Sequence, residues 1–247
     1  MAKGMYPADI ILPSLALTLG VSASVYFFAY WWRHRDDKHS RALLFWAIGL
    51  FLMYWFQVPA ILTGLGKVIT VTDFNLFFTL TLPITFLALI FFLLGIFEIS
   101  GFDIRRKFKI FLFLWFGVAI LFFAYYFIIN GGAILTYFLP LGGNIIFYIP
   151  LRLIIIATAA RIIFRSKLRT AAGIAGVVCV IGESVLGLAR NFFIIDNVLK
   201  YPPQFWYVVI AQSKFFFITQ TLSIIILVFG FYFLHLAYHR LVYGENR

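Results

Sequence analysis

Charge is scarce in this chain and cysteine is nearly absent. Only 12% of the 247 residues are charged, against about 25% in an ordinary soluble domain. The single cysteine, Cys179, excludes an intramolecular disulfide and a cysteine-rich metal site. It sits in an apolar stretch and reads as a small buried side chain. Acids are scarcer than bases, with 9 Asp and Glu against 20 Lys and Arg. No HExxH, no paired carboxylates and no Gly-x-Ser-x-Gly elbow occur, so the sequence points away from an enzyme. His235 and His239 are one helical turn apart without an evident third ligand, and His34 and His39 fall among loop charges. No metal site follows from either pair, and interfacial or solvated imidazoles are expected.

Apolar residues fill the space that charge leaves. They make up 64% of the chain, with 21% aromatic, and no water-soluble fold of this length hides so much apolar surface. The lipid bilayer is therefore the expected solvent. A spanning helix needs about 20 mostly apolar residues. Seven stretches qualify: 9–32, 42–64, 73–98, 110–129, 145–164, 171–197 and 204–238. They are continuously apolar rather than alternating, which predicts helices and not a barrel. The first has a long apolar run, no small-residue cleavage site and a basic stop, so it reads as a membrane helix rather than a signal peptide. The connections are short, so residues 1–247 are expected to form a single all-α, seven-helix transmembrane domain.

Lys and Arg set the orientation. One side collects Arg33, Arg35, Lys38 and Arg41 after the first stretch, and Arg105, Arg106, Lys107 and Lys109 after the third. Arg161, Arg165, Lys167 and Arg169 follow around the fifth, with Arg240 and Arg247 at the C-terminus. Lys3, Lys67 and Lys200 are alone on the other. The basic side faces the cytoplasm, which puts the N-terminus outside and the C-terminus inside. Compactness suggests a multi-pass protein of a prokaryotic cytoplasmic (plasma) membrane. The excess of positive charge is thus an orientation signal, and no nucleic-acid partner is expected.

Four ionisable residues fall inside apolar stretches: Arg152, Glu183, Arg190 and Lys214. Such groups are costly at membrane depth and mark function by default. Glu183 falls near mid-membrane. Arg190 is seven residues on, on the same helix face and about 10 Å further out. Glu183 is placed to pair with Lys214 or Arg190. Gln57, Thr81, Asn191 and Gln212 share the outer half, and Gln220, Thr221 and Ser223 the inner half. The sharper reading is a polar outer cavity, of local charge +2 from these four ionisable groups, that takes a small anionic or amphipathic ligand. The plainer reading lets Arg152 and Arg190 snorkel to the outer interface. Ala172 and Gly176 form a small-xxx-small pair, fit for close packing within the bundle or for a dimer face. Pro13, Pro59, Pro83 and Pro150 lie within the apolar stretches, where proline removes a helix hydrogen bond.

In helix count, orientation and the placement of Lys214 in AQSKFFF, the chain resembles microbial rhodopsins, and TLTLP in the third stretch is similar to their Thr-Pro motif. That resemblance implies retinal bound to Lys214 as a Schiff base, with Glu183 as the only candidate counter-ion. The chain departs from the pattern at Phe77, where an acid would stand, and in GVVCVIGESVLGLARNFF, which lacks Trp-x-x-Tyr-Pro. In layout it also resembles bacterial seven-helix sensor regions of membrane histidine kinases. The segments are RHRDDKHSRALLFWAIGLFLMYW and RIIFRSKLRTAAGIAGVV. This second resemblance implies a receptor- or sensor-like protein whose output passes to a separate cytoplasmic signalling partner or through a homo-oligomer. A small-solute transporter and a retinal photoreceptor are the alternatives.

Overall fold

The computed structural model describes residues 8–37, 40–53, 71–101, 106–129, 141–165, 170–202 and 213–243, with the single positions 55, 58, 61, 62, 65 and 168. Among them the chain is all-α, with no strand. The helices are α1 (Ala8–Arg33), α2 (Arg41–Met53), α3 (Val71–Ser100), α4 (Arg106–Ile129), α5 (Ile149–Arg165), α6 (Ala171–Lys200) and α7 (Lys214–Tyr243). A π-helical turn, Gly143–Tyr148, runs straight into α5.

Six helical segments, α1, α3, α4, the π turn joined to α5, α6 and α7, are long and apolar enough to cross a membrane, the layout of a multi-pass membrane protein. The apolar α2 has 13 residues and reaches about 20 Å, short of a core of about 30 Å. The remainder of the predicted 42–64 span lies largely outside the described residues. So do residues 204–212 of the predicted last span, and α7 begins at Lys214.

Local chemistry explains several helix ends. Thr170 caps α6, its hydroxyl accepting from the Gly173 amide at 3.1 Å. Gly101 closes α3 at φ 67°, a left-handed conformation that glycine adopts without penalty. In the π turn, the Ile149 amide donates to the Asn144 carbonyl. Pro150 follows with no amide to donate, so the wide turn falls where the regular ladder would break anyway.

The helices close a ring. α1 packs on α2 and α7, α2 on α3, α3 on α5, α5 on α6 and α6 on α7. α4 stands outside it, held by α3 and the π turn. Its outer face exposes Leu114, Leu121 and Ile128, as a helix facing lipid should. Near the basic end the ring is filled by Phe27, Trp46, Phe92 and Phe231. Trp46 and Phe231 stack with centroids 4.3 Å apart. Gly95 leaves room for the Trp46 indole, because a Cβ there would strike it.

Gly176 and Gly230 bring α6 and α7 into backbone contact. A Cβ on Gly176 would lie 2.9 Å from the Gly230 carbonyl oxygen. The small residue at 176 therefore serves packing inside the bundle.

Candidate functional site: a buried Arg-Glu-Arg cluster

Glu183 sits in α6 with 2% of its surface exposed, between two arginines. Arg152, from α5, donates through Nη1 to both carboxylate oxygens at 3.0 Å. Arg190, two helical turns along α6, places Nη2 3.6 Å from Glu183 Oε1. Its Nη1 donates to Ser223 Oγ at 2.6 Å and to the Thr219 carbonyl at 2.8 Å, both on α7. Ser184 Oγ donates to Glu183 Oε2 at 3.4 Å. One polar cluster thus ties together α5, α6 and α7.

The sequence of α6 builds this face. Residues 183, 187, 190 and 191 recur at helical spacing and line one side. Glycine at 187 makes room for Arg152, because a Cβ there would occupy the position of its guanidinium and push that side chain aside. The guanidinium lies close against α6 at Gly187, one turn from Glu183. One turn before Arg152, Tyr148 donates its hydroxyl to the Leu82 carbonyl of α3, next to Pro83. The π turn that presents Tyr148 and the start of α5 therefore links the cluster to α3, a fourth helix of the ring.

Among the described residues, two buried guanidiniums draw on one carboxylate, that of Glu183. Arginine cannot shed its proton there. The burial cost of such a group is large, and the pair recovers it only through good geometry. Three buried polar atoms in this part of the bundle, Arg152 Nε, Asn191 Nδ2 and Gln220 Oε1, have no hydrogen-bond partner among the described residues.

Of the residues predicted to line a site, Arg152, Glu183, Arg190 and Asn191 are buried together on the α5–α6 side. Arg152 is 3% exposed and Arg190 7%, so both lie within the protein and not in a snorkelling position at its surface. Glu183 pairs with Arg190 as predicted, and more closely with Arg152, which sequence spacing did not indicate. Thr81 is buried in α3, its carbonyl accepting from Thr85 Oγ1 at 2.9 Å. Gln57 and Gln212 lie outside the described residues.

Lys214 is the first residue of α7 and is exposed, nine residues before Ser223. The +2 predicted for the site counted Lys214, which lies at the exposed start of α7. Retinal does not fit these residues. The lysine that would carry it is exposed at a helix end, and the only candidate counter-ion is held by two arginines.

Ser184, Gly187, Thr219 and Ser223 belong to the site but escaped sequence reasoning, which placed Ser223 with a separate inner group. The α6 spacing 183, 187, 190 was the signal that could have found Gly187.

A second polar group lies at the basic end. His34, Asp37, Ser40, His235, Tyr238 and His239 line a small pocket with Tyr30. Tyr30 stacks on His34 at 4.3 Å and meets His235 edge-on at 4.5 Å. His34 was expected to be solvated, but it is half-buried, its Nδ1 3.0 Å from the Tyr30 carbonyl. His39 lies outside the described residues. Tyr30 is wedged between His34 and His235, and no group of three His, Cys, Asp or Glu among the described residues is placed to hold a metal ion.

No protein-family profile, no curated protein and no solved structure matches this chain.

Proposed function

We propose that this chain is a receptor- or sensor-like membrane protein with seven spans, its N-terminus outside and its C-terminus in the cytoplasm, that binds a small ligand at the Arg152–Glu183–Arg190 cluster. The observation that carries this reading is the ion network itself, buried at 2–7% exposure and shared by three helices that are each part of a candidate membrane span. An apolar triplet would hold the helices at lower cost. A buried network whose partners sit on different helices is suited to rearrange when a ligand adds or removes a contact.

Arg190 couples the ligand seat to α7 through Ser223 and Thr219, so a ligand that draws Arg190 away frees α7 to shift against α6. The basic ends of α1, α5 and α7 would carry that shift to a cytoplasmic partner. The orientation rests on the arginine-rich termini of these helices, Arg33, Arg165 and Arg240. The seventh span rests on continuing α2 through the apolar residues up to 64.

Two measurements test the reading. A reporter that fluoresces only in the cytoplasm, fused after Arg247, should be bright; a dark fusion overturns the orientation. Proteoliposomes should take up labelled acetate or octanoate no faster than empty ones. Uptake that Arg190→Ala abolishes would replace the receptor with a transporter, the second reading that the same cluster supports.

A further inference from the structure

We propose that the pocket between α1 and α7 at the basic end is a proton-operated latch. With its imidazoles neutral the two helices close on each other, and protonating His34 and His235 parts them. The proposal stands on residues other than the Arg152–Glu183–Arg190 cluster, so either can fail without the other.

The contact that joins the helices here is made of titratable rings. Tyr30 of α1 is stacked on His34 with centroids 4.3 Å apart and meets His235 of α7 edge-on at 4.5 Å. One phenol ring therefore separates two imidazoles. His239, one turn on in α7, brings a third imidazole to 6.2 Å from His235. One turn further into the bundle, the seam is the apolar pair Phe27 and Phe231.

The cavity beside these rings gives protons a way in. It measures about 20 Å³, room for about one ordered water, and its lining includes the exposed His239 and the buried Ser40. Ser40 is 5% exposed, and its hydroxyl has no hydrogen-bond partner among the described residues. A water held by Ser40 shares the cavity with His34 and His235 and relays protons to the half-buried ring.

The charges around His235 set the direction. α1 and the turn after it bring Tyr30, His34 and Asp37, and α7 itself brings Tyr238 and His239. α2 and α3 contribute the apolar Leu43 and Ile99. The start of α6, alongside α7, has no titratable group before Cys179. Arg33, Arg41 and Arg240 at this end are exposed. A first proton on the cluster has Asp37 beside it, but protons on both His34 and His235 are like charges on either side of one ring. Parting the helices hands those charges to water. The parted state therefore binds more protons, so acid populates it and base closes it.

The test uses the full chain with Cys179→Ser, carrying nitroxide labels at Arg33→Cys and Arg240→Cys, in nanodiscs of zwitterionic lipid. Pulsed electron resonance reads the distance between labels in samples frozen at steps from about pH 8 to about pH 5, the range over which imidazole changes charge. A short distance at the alkaline end that gives way to a longer one at the acid end is expected. His235→Phe keeps a ring against Tyr30 without a titrating nitrogen and should hold the short distance in acid. His34→Phe should do the same from the other helix, and it serves if the first variant does not fold. One unchanged distance across the whole range in the labelled parent overturns the latch. Lengthening that is as large in both variants as in the parent overturns it too, because the imidazoles are then not the sensor.

Discussion

At the scale of single residues, Glu183 is where a change should cost most. Replacing it by Gln removes the carboxylate that both buried guanidiniums share, and breaking such a buried network costs about 3–5 kcal/mol. Removing Arg152 as well deletes one of those cations. The double variant Arg152→Met, Glu183→Gln should therefore be more stable than Glu183→Gln alone, which thermal unfolding in detergent would show. Additive losses would mean that the two side chains do not share one network. Gly187→Ala should cost about 1–3 kcal/mol by displacing the Arg152 guanidinium. The sequence showed Arg152, Glu183 and Arg190 because ionisable groups stand out in apolar runs. It did not show that Arg152 faces Glu183, since that depends on how α5 is rotated against α6. Lys214 misled for the same reason that the others stood out, as hydropathy alone does not distinguish a lysine within a span from one that opens a helix.

At the scale of helices, glycine gives a controlled comparison. On α6, Gly176 faces the backbone of α7, with an added Cβ 2.9 Å from the Gly230 carbonyl oxygen. Gly182 on the same helix would place its Cβ 3.8 Å from Ile226, an ordinary contact. Gly176→Ala should therefore lower Tm clearly and Gly182→Ala hardly at all, although both gain the same helix propensity. On α4, a Cβ at Gly117 meets nothing within 4 Å, and Gly117→Ala should stabilise by about 0.5–1 kcal/mol. The limits of most helices were legible from apolar run length; α3, predicted over 73–98, is Val71–Ser100. The π turn before Pro150 was not legible, because a slip in hydrogen-bond register leaves no mark in composition.

At the scale of the whole molecule, the arrangement around the ring is what sequence could not supply. Lipid-facing and core-facing apolar residues look alike in hydropathy, since lipid tails are as apolar as leucine. Nothing in the run 110–129 announced that α4 stands outside the ring while its neighbours close it. Closure depends on α1 meeting α7, the first and last helices of the chain. Three contacts at different heights make that seam: the Thr221 hydroxyl donating to the Leu12 carbonyl at 3.4 Å, Phe27 edge-on to Phe231, and Tyr30 against His235. Paired substitutions Tyr30→Cys and His235→Cys, in a Cys179→Ser background, should therefore be joined by a short thiol-reactive crosslinker in native membranes. The product is internal to one chain, so it should migrate as a compact monomer on a denaturing gel. The pair Leu114→Cys with His235→Cys should not react within one chain, because Leu114 is exposed on the peripheral α4. The reverse pattern would open the ring between α1 and α7. It would also remove the outer wall that keeps Gln220 and Thr221, beside the Arg190 contacts on α7, away from lipid.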